Sequence, residues 1–136
     1  PILSNSQYRL AGTADKICLL SNRKDSEVDI ADFKTNINKG IQFHSDYKKR
    51  MYHPIEHLHD CNFVKYSLQL SIYAYFFEEL TGRKVRKLFI HFIPPHDFTK
   101  HYKIPVIYMK NDIRLILEAY KQQIMNIVEP VKLYEF

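Results

Sequence analysis

The chain has 136 residues, of which 46% are apolar, 26% are charged and only three are glycine. This composition excludes a disordered chain and a collagen, and the length fits one domain with a conventional hydrophobic core. Two cysteines are too few for a four-cysteine iron–sulfur cluster, and no apolar run reaches the roughly 20 residues that a membrane helix needs. The net charge of +5 favours a polyanionic partner.

The N-terminal part of the chain alternates between apolar and polar residues over positions 7–20, which is typical of a β-strand. The residues on one face of this predicted strand are Ala11, Thr13, Asp15, Ile17 and Leu19. Asp15 therefore places a carboxylate on a mostly apolar face. After a polar turn at 21–26 a second strand is predicted, whose shared face holds Val28, Ile30, Asp32 and Lys34.

The middle of the chain changes from irregular to helical. Residues 36–59 have no clean periodicity and predict a long loop with one helical turn. From about 60 to 80 aromatic and aliphatic residues recur at steps of three and four, which predicts a helix that stops at Gly82.

The C-terminal part predicts two strands and a second helix. Residues 85–93 are rich in β-formers and end at two prolines, and 103–109 form a shorter strand. Asn111 or Asp112 can cap a last helix that runs to about Val128. The order β-β-α-β-β-α, without repeat or linker, predicts one α/β domain over residues 1–136, with a mixed sheet flanked by helices.

One group of side chains has the chemistry of a hydrolytic site. On adjacent strands, Asp15 and Asp32 can bind one hard cation such as Mg²⁺ or Mn²⁺, and the carbonyl of Phe33 can add a third oxygen. Lys34 points to the same face as Asp32, where an ammonium can orient a water or stabilise developing negative charge. These residues predict metal-dependent hydrolysis of phosphodiesters.

The order and spacing of three segments resemble the PD-(D/E)XK nuclease superfamily, in its branch of RecB-like, Cas4-like and phage exonucleases. The segments are AGTADKI at 11–17, DIADFKT at 29–35 and YSLQLSIYAY at 66–75. The resemblance covers about residues 1–93 and implies a restriction-endonuclease-like core that acts on DNA. It is closest to phage-type members without an iron–sulfur cluster, which implies a cytoplasmic protein of a bacterial or phage-infected host cell.

The resemblance also assigns roles to individual residues. It implies that Asp15 and Asp32 are metal ligands, that Lys34 is the catalytic lysine, and that Gln69 and Tyr73 complete the site and contact DNA.

Tyr66 precedes Gln69 on the same helix face, where it belongs either to the core or to the substrate-binding rim. Relatives carry an N-terminal helix before the first core strand, so we expect the chain to be truncated at its N-terminus.

Two alternatives remain open from the residues alone. The first is a catalytically silent domain that keeps the nuclease fold and acts in nucleic-acid binding or assembly. The second is a zinc-stabilised interaction domain, because HPIEHLHD places His53, His57 and His59 close together, although Pro54 interrupts the helix that would align the first two.

Overall fold

The computed structural model describes residues 2–5, 10–13, 16–19, 26–35, 37–45 and 49–134. The elements in chain order are β1 (Ile2–Asn5), β2 (Leu10–Thr13), β3 (Lys16–Leu19), β4 (Val28–Lys34), α1 (Asn62–Thr81), β5 (Val85–Phe92), β6 (Tyr102–Val106) and α2 (Lys110–Tyr134). The protein is thus of the α/β class. No helix in the described ranges has the length and apolar character that crossing a membrane requires.

A four-stranded mixed sheet forms the centre of the molecule, with the order β3-β4-β5-β6. The β4–β5 pair is parallel and the two outer pairs are antiparallel. Parallel neighbours cannot be joined by a tight turn, so the chain crosses over through α1 between them. This crossover lays α1 against β4 and β5, on the side of the sheet that we call the inner face.

β4 has the alternation that the sequence predicts. Val28 and Ile30 are fully buried against the inner face, and Asp32 continues their row while remaining only 5% exposed. Ala31 is also buried, on the opposite side. A buried carboxylate is costly unless it has a partner, so the end of β4 at Asp32 is where we look for interacting polar groups.

α1 matches the prediction for 60–80 to within two residues. Leu70, Ala74 and Phe76 are at most 1% exposed, so this side of the helix lies in the core. Gly82 ends the helix in the left-handed conformation at φ 72°, and its N–H donates to the carbonyl of Glu78 at 2.9 Å. The predicted stop at this glycine is therefore confirmed, because glycine adopts this conformation without the penalty that a Cβ brings.

α2 packs against α1. Ile113 and Leu117 are buried in the common core, and the Met109 N–H just before the helix donates to the Ser71 hydroxyl at 3.0 Å. The prediction of a cap at Asn111 or Asp112 is wrong, since α2 begins at Lys110 and continues beyond Val128 to Tyr134. Both residues lie within the first turn of the helix.

The N-terminal strands differ from the prediction. Instead of one strand over 7–20 there are two, because β2 pairs with β1 in a separate two-stranded sheet while β3 pairs with β4. The alternation continues through both strands, so it gives no sign that the hydrogen-bonding partner changes.

β6 and the long loop differ in detail. β6 is shorter than predicted and ends at Val106. In the loop, the described residues between 37 and 61 form turns and an Arg50–His59 bridge, without the predicted helical turn.

Candidate active site

The candidate site lies where the C-terminal end of β4 passes beneath α1. Asp32 and Lys34 are two residues apart on the strand, and both side chains therefore lie on the inner face. The Lys34 ammonium is 2.8 Å from Asp32 Oδ2, and the two side chains are 20% and 7% exposed, respectively. The predicted juxtaposition of this carboxylate and this ammonium is present as a largely buried ion pair.

Gln69 joins the helix to this ion pair. The Lys34 ammonium donates to Gln69 Oε1 at 3.3 Å, and Gln69 Nε2 donates to the Tyr73 hydroxyl at 2.9 Å. Residues four apart lie above one another on a helix, which explains how Gln69 reaches Tyr73. Both polar ends of the amide are thereby satisfied, and the cost of placing a glutamine beside the core is avoided.

Tyr66 completes the surroundings of Lys34. The lysine nitrogen is 4.3 Å from the centroid of the Tyr66 ring, which is within the range of a cation–π interaction. Tyr66 is partly buried and packs against the core, and its place at a substrate-binding rim stays a prediction. A carboxylate, an amide and an aromatic face together fix the position of one ammonium group.

The predicted metal-binding roles of Asp15 and of the Phe33 carbonyl stay predictions. Asp15 lies outside the described residues, so its distance to Asp32 stays a prediction. Phe33 occupies β4 between Asp32 and Lys34, and its ring lies on the opposite side of the sheet, stacked on His91 with 4.9 Å between the centroids.

The donor set for a divalent cation consists of hard oxygen atoms. Asp32 supplies a carboxylate that is buried at the end of β4, and Mg²⁺ and Mn²⁺ prefer such oxygen ligands. Within the described ranges, no group of three or more histidine, cysteine, aspartate or glutamate side chains is placed to hold a metal ion. A cation here would therefore draw on Asp32 together with Asp15 or a backbone carbonyl.

The three loop histidines of the zinc alternative each have a different partner. The pairs are His53 Nδ1 with Glu56 Oε1 at 3.3 Å, His57 Nε2 with Asp112 Oδ1 at 2.6 Å, and His59 Nδ1 with the Ser45 hydroxyl at 3.2 Å. Desolvation lowers the pKa of His59, and the neighbouring Arg50 and His44 lower it further. The geometry gives these side chains local contacts in the loop and to α2, rather than one shared centre.

Sequence reasoning assigned no role to the side of the sheet opposite α1, which we call the outer face. Its side chains include Lys16 of β3, Asp29 and Phe33 of β4, Phe89 and His91 of β5, and Lys103 of β6. The alternation of β5 indicates this face. Leu88, Ile90 and Phe92 are buried, so the residues between them point to the opposite side of the sheet. Nothing in the sequence showed that Phe33 and His91 would be in register.

Comparison with protein-family models, with curated proteins and with solved structures gave no match to this chain.

Proposed function

We propose that the protein is a metal-dependent DNA nuclease with a restriction-endonuclease-like core, that Asp15, Asp32 and Lys34 form its catalytic group, and that Gln69 positions Lys34. The observation that carries this proposal is the connected arrangement of Asp32, Lys34, Gln69 and Tyr73 at the end of β4. A surface ion pair of little consequence would not need a helix amide and an aromatic ring to hold its lysine.

The residues have separate tasks in the proposed hydrolysis. The reaction joins a water oxygen to the phosphorus and breaks one bridging P–O bond, leaving a phosphate monoester and a hydroxyl. Lys34 carries three N–H donors, so it can keep Asp32 and Gln69 as partners while donating to a phosphoryl oxygen. Because its position is fixed before the substrate binds, little reorganisation is needed as negative charge develops.

In this proposal Gln69 positions Lys34, and Tyr73 contacts the DNA. Gln69 accepts from Lys34, so it holds the ammonium beside Asp32, and it donates to the Tyr73 hydroxyl. That hydroxyl keeps its own proton free to donate to a phosphate or sugar oxygen of the DNA. Tyr66 restricts the lysine from the other side.

The Asp32 carboxylate fits the hard oxygen ligands of Mg²⁺ or Mn²⁺, with Asp15 and the Phe33 carbonyl as the further proposed ligands. Such an ion, when bound, polarises the scissile phosphate and lowers the pKa of the attacking water.

The test is cleavage of end-labelled DNA by the chain in Mg²⁺, in Mn²⁺ and in EDTA. We expect cleavage that requires the divalent ion and falls at least tenfold in Lys34→Arg, because a planar guanidinium keeps the charge beside Asp32 but cannot reproduce the donor geometry of an ammonium. Gln69→Ala should also reduce cleavage at least tenfold, while Gln123→Ala, an exposed glutamine on α2, is the matched control. Circular dichroism verifies that each variant is folded.

Two outcomes would contradict the proposal. Folded wild-type chain that binds DNA without cleaving it in either metal would favour the catalytically silent nucleic-acid-binding domain. Cleavage that continues at the original rate in folded Lys34→Arg and Gln69→Ala would show that the activity comes from elsewhere.

A further inference from the structure

The outer face of the sheet carries a ladder of aromatic rings. Phe33 and His91 are register partners on β4 and β5, and their rings stack with centroids 4.9 Å apart and planes 18° apart. His101, which precedes β6, adds a third ring at 4.9 Å from His91, with a 2.7 Å contact between His91 Nδ1 and His101 Nε2. Phe33 is 42% exposed although it lies on a central strand.

Positive charge surrounds this ladder. Lys103 is the register partner of His91 on β6, and its ammonium lies 4.0 Å from the centroid of Phe89. Lys16 lies on β3, opposite Ala31. Burial lowers the pKa of His91, and the neighbouring positive charges of His101, Lys103 and Lys16 lower it further.

Asp29, an acidic side chain on this face, is already paired with an arginine. Asp29 forms a two-point contact with Arg86, whose Nε and Nη2 lie 3.1 and 2.9 Å from the two carboxylate oxygens. The described strand residues of this face thus carry the charges of Lys16 and Lys103 beside an aspartate that is already paired. The two described helices lie on the inner side, α1 against β4 and β5 and α2 against α1.

We propose that the outer face binds single-stranded nucleic acid, with an unpaired base stacked on Phe33 and the flanking phosphates on Lys16 and Lys103. Exposed rings between lysines match a polyanion that carries flat apolar bases. A duplex does not fit as well, because the faces of its bases are covered by their neighbours. The surface lies on the other side of the sheet from the catalytic group, so it goes beyond the proposed cleavage and does not depend on it.

The test is fluorescence anisotropy of a labelled single strand of about 12 nucleotides, within the site sizes of comparable stacking surfaces, titrated with the chain in EDTA. Phe33→Leu keeps an apolar side chain and removes the ring face, so affinity should fall about fivefold or more. Lys103→Gln should weaken binding and reduce the slope of log K against log salt by about 0.7, the value for one phosphate contact of a single strand. Phe98→Leu and Lys65→Gln are matched controls, since Phe98 is 76% exposed and Lys65 is exposed on α1.

Three results would overturn the inference. In the first, Phe33→Leu and Lys103→Gln bind the single strand as tightly as the wild type and the two controls do. In the second, a duplex of the same sequence binds equally well and loses affinity equally in the two variants. In the third, analytical ultracentrifugation shows that the wild type is a dimer and that Phe33→Leu dissociates it, which would assign the face to a second copy. The assay contains no divalent ion, so it reports binding on the outer face separately from the proposed cleavage at Asp32 and Lys34.

Discussion

The ion pair between Lys34 and Asp32 allows a quantitative prediction about Lys34→Met. The substitution keeps most of the side-chain volume but leaves the Asp32 carboxylate, which is 7% exposed, without the ammonium 2.8 Å away. Breaking a buried pair by removing one partner costs about 3–5 kcal/mol, because the remaining buried charge loses its counter-charge. Since Lys34 is 20% exposed, we expect the lower end of this range, about 3 kcal/mol.

A second substitution separates this penalty from a simple loss of packing. Asp32→Asn removes the negative charge, so the double variant Asp32→Asn/Lys34→Met should be about 2 kcal/mol more stable than Lys34→Met alone. Lys65→Met is the matched control, because its ion pair with Asp60 is 3.3 Å long but the lysine is 63% exposed. Loss of this exposed ion pair should lower the free energy of unfolding by about 0–1 kcal/mol.

The assay is urea unfolding followed by circular dichroism at neutral pH, with and without Mg²⁺. A cation bound at Asp32 replaces part of the lost positive charge, so Mg²⁺ should stabilise Lys34→Met more than the wild type. The reasoning is refuted if Lys34→Met costs no more than Lys65→Met, or if Asp32→Asn adds to the damage instead of relieving it.

Three further predictions concern the scaffold. Gly82→Ala should lower the free energy of unfolding by about 1 kcal/mol, since a Cβ there meets no neighbour but φ stays at 72°; an unchanged urea midpoint would contradict this. Hydrogen bonding to Lys65 lowers the pKa of Asp60, so the stability that Asp60 contributes is present above its unfolded pKa and is lost as the pH falls through its folded pKa. In Asp60→Asn the free energy of unfolding should therefore depend less on pH in the acidic range, as measured by urea unfolding. Leu70→Ala should lower the free energy of unfolding in urea by about 2–5 kcal/mol, because Leu70 is buried. Leu80 is 54% exposed, so an equal loss in Leu80→Ala would contradict the assignment of Leu70 to the core.

Features that depend on residues close together in the chain could be predicted from the sequence. The alternation of β4 placed Asp32 and Lys34 on one face, and the helical spacing placed Gln69 one turn before Tyr73. The stop of α1 at Gly82 followed from the conformational freedom of one residue. These features follow from local backbone geometry, so the sequence alone determines them.

Other features required contacts between distant parts of the chain. The sequence could not show that β2 and β3 belong to different sheets, because an alternating strand reads the same whichever strand it pairs with. It could not fix the start of α2 either, where Asp112 contacts His57 instead of serving as the cap.

The tertiary structure decided which side chains meet. Gln69 contacts Lys34 because the crossover from β4 to β5 lays α1 over the end of β4. Phe33 stacks on His91 because the parallel register of β4 and β5 makes them partners across more than fifty residues of chain. Periodicity specifies the face on which a residue lies, whereas its partner depends on the packing of whole elements, and that packing is set by burial summed over many residues.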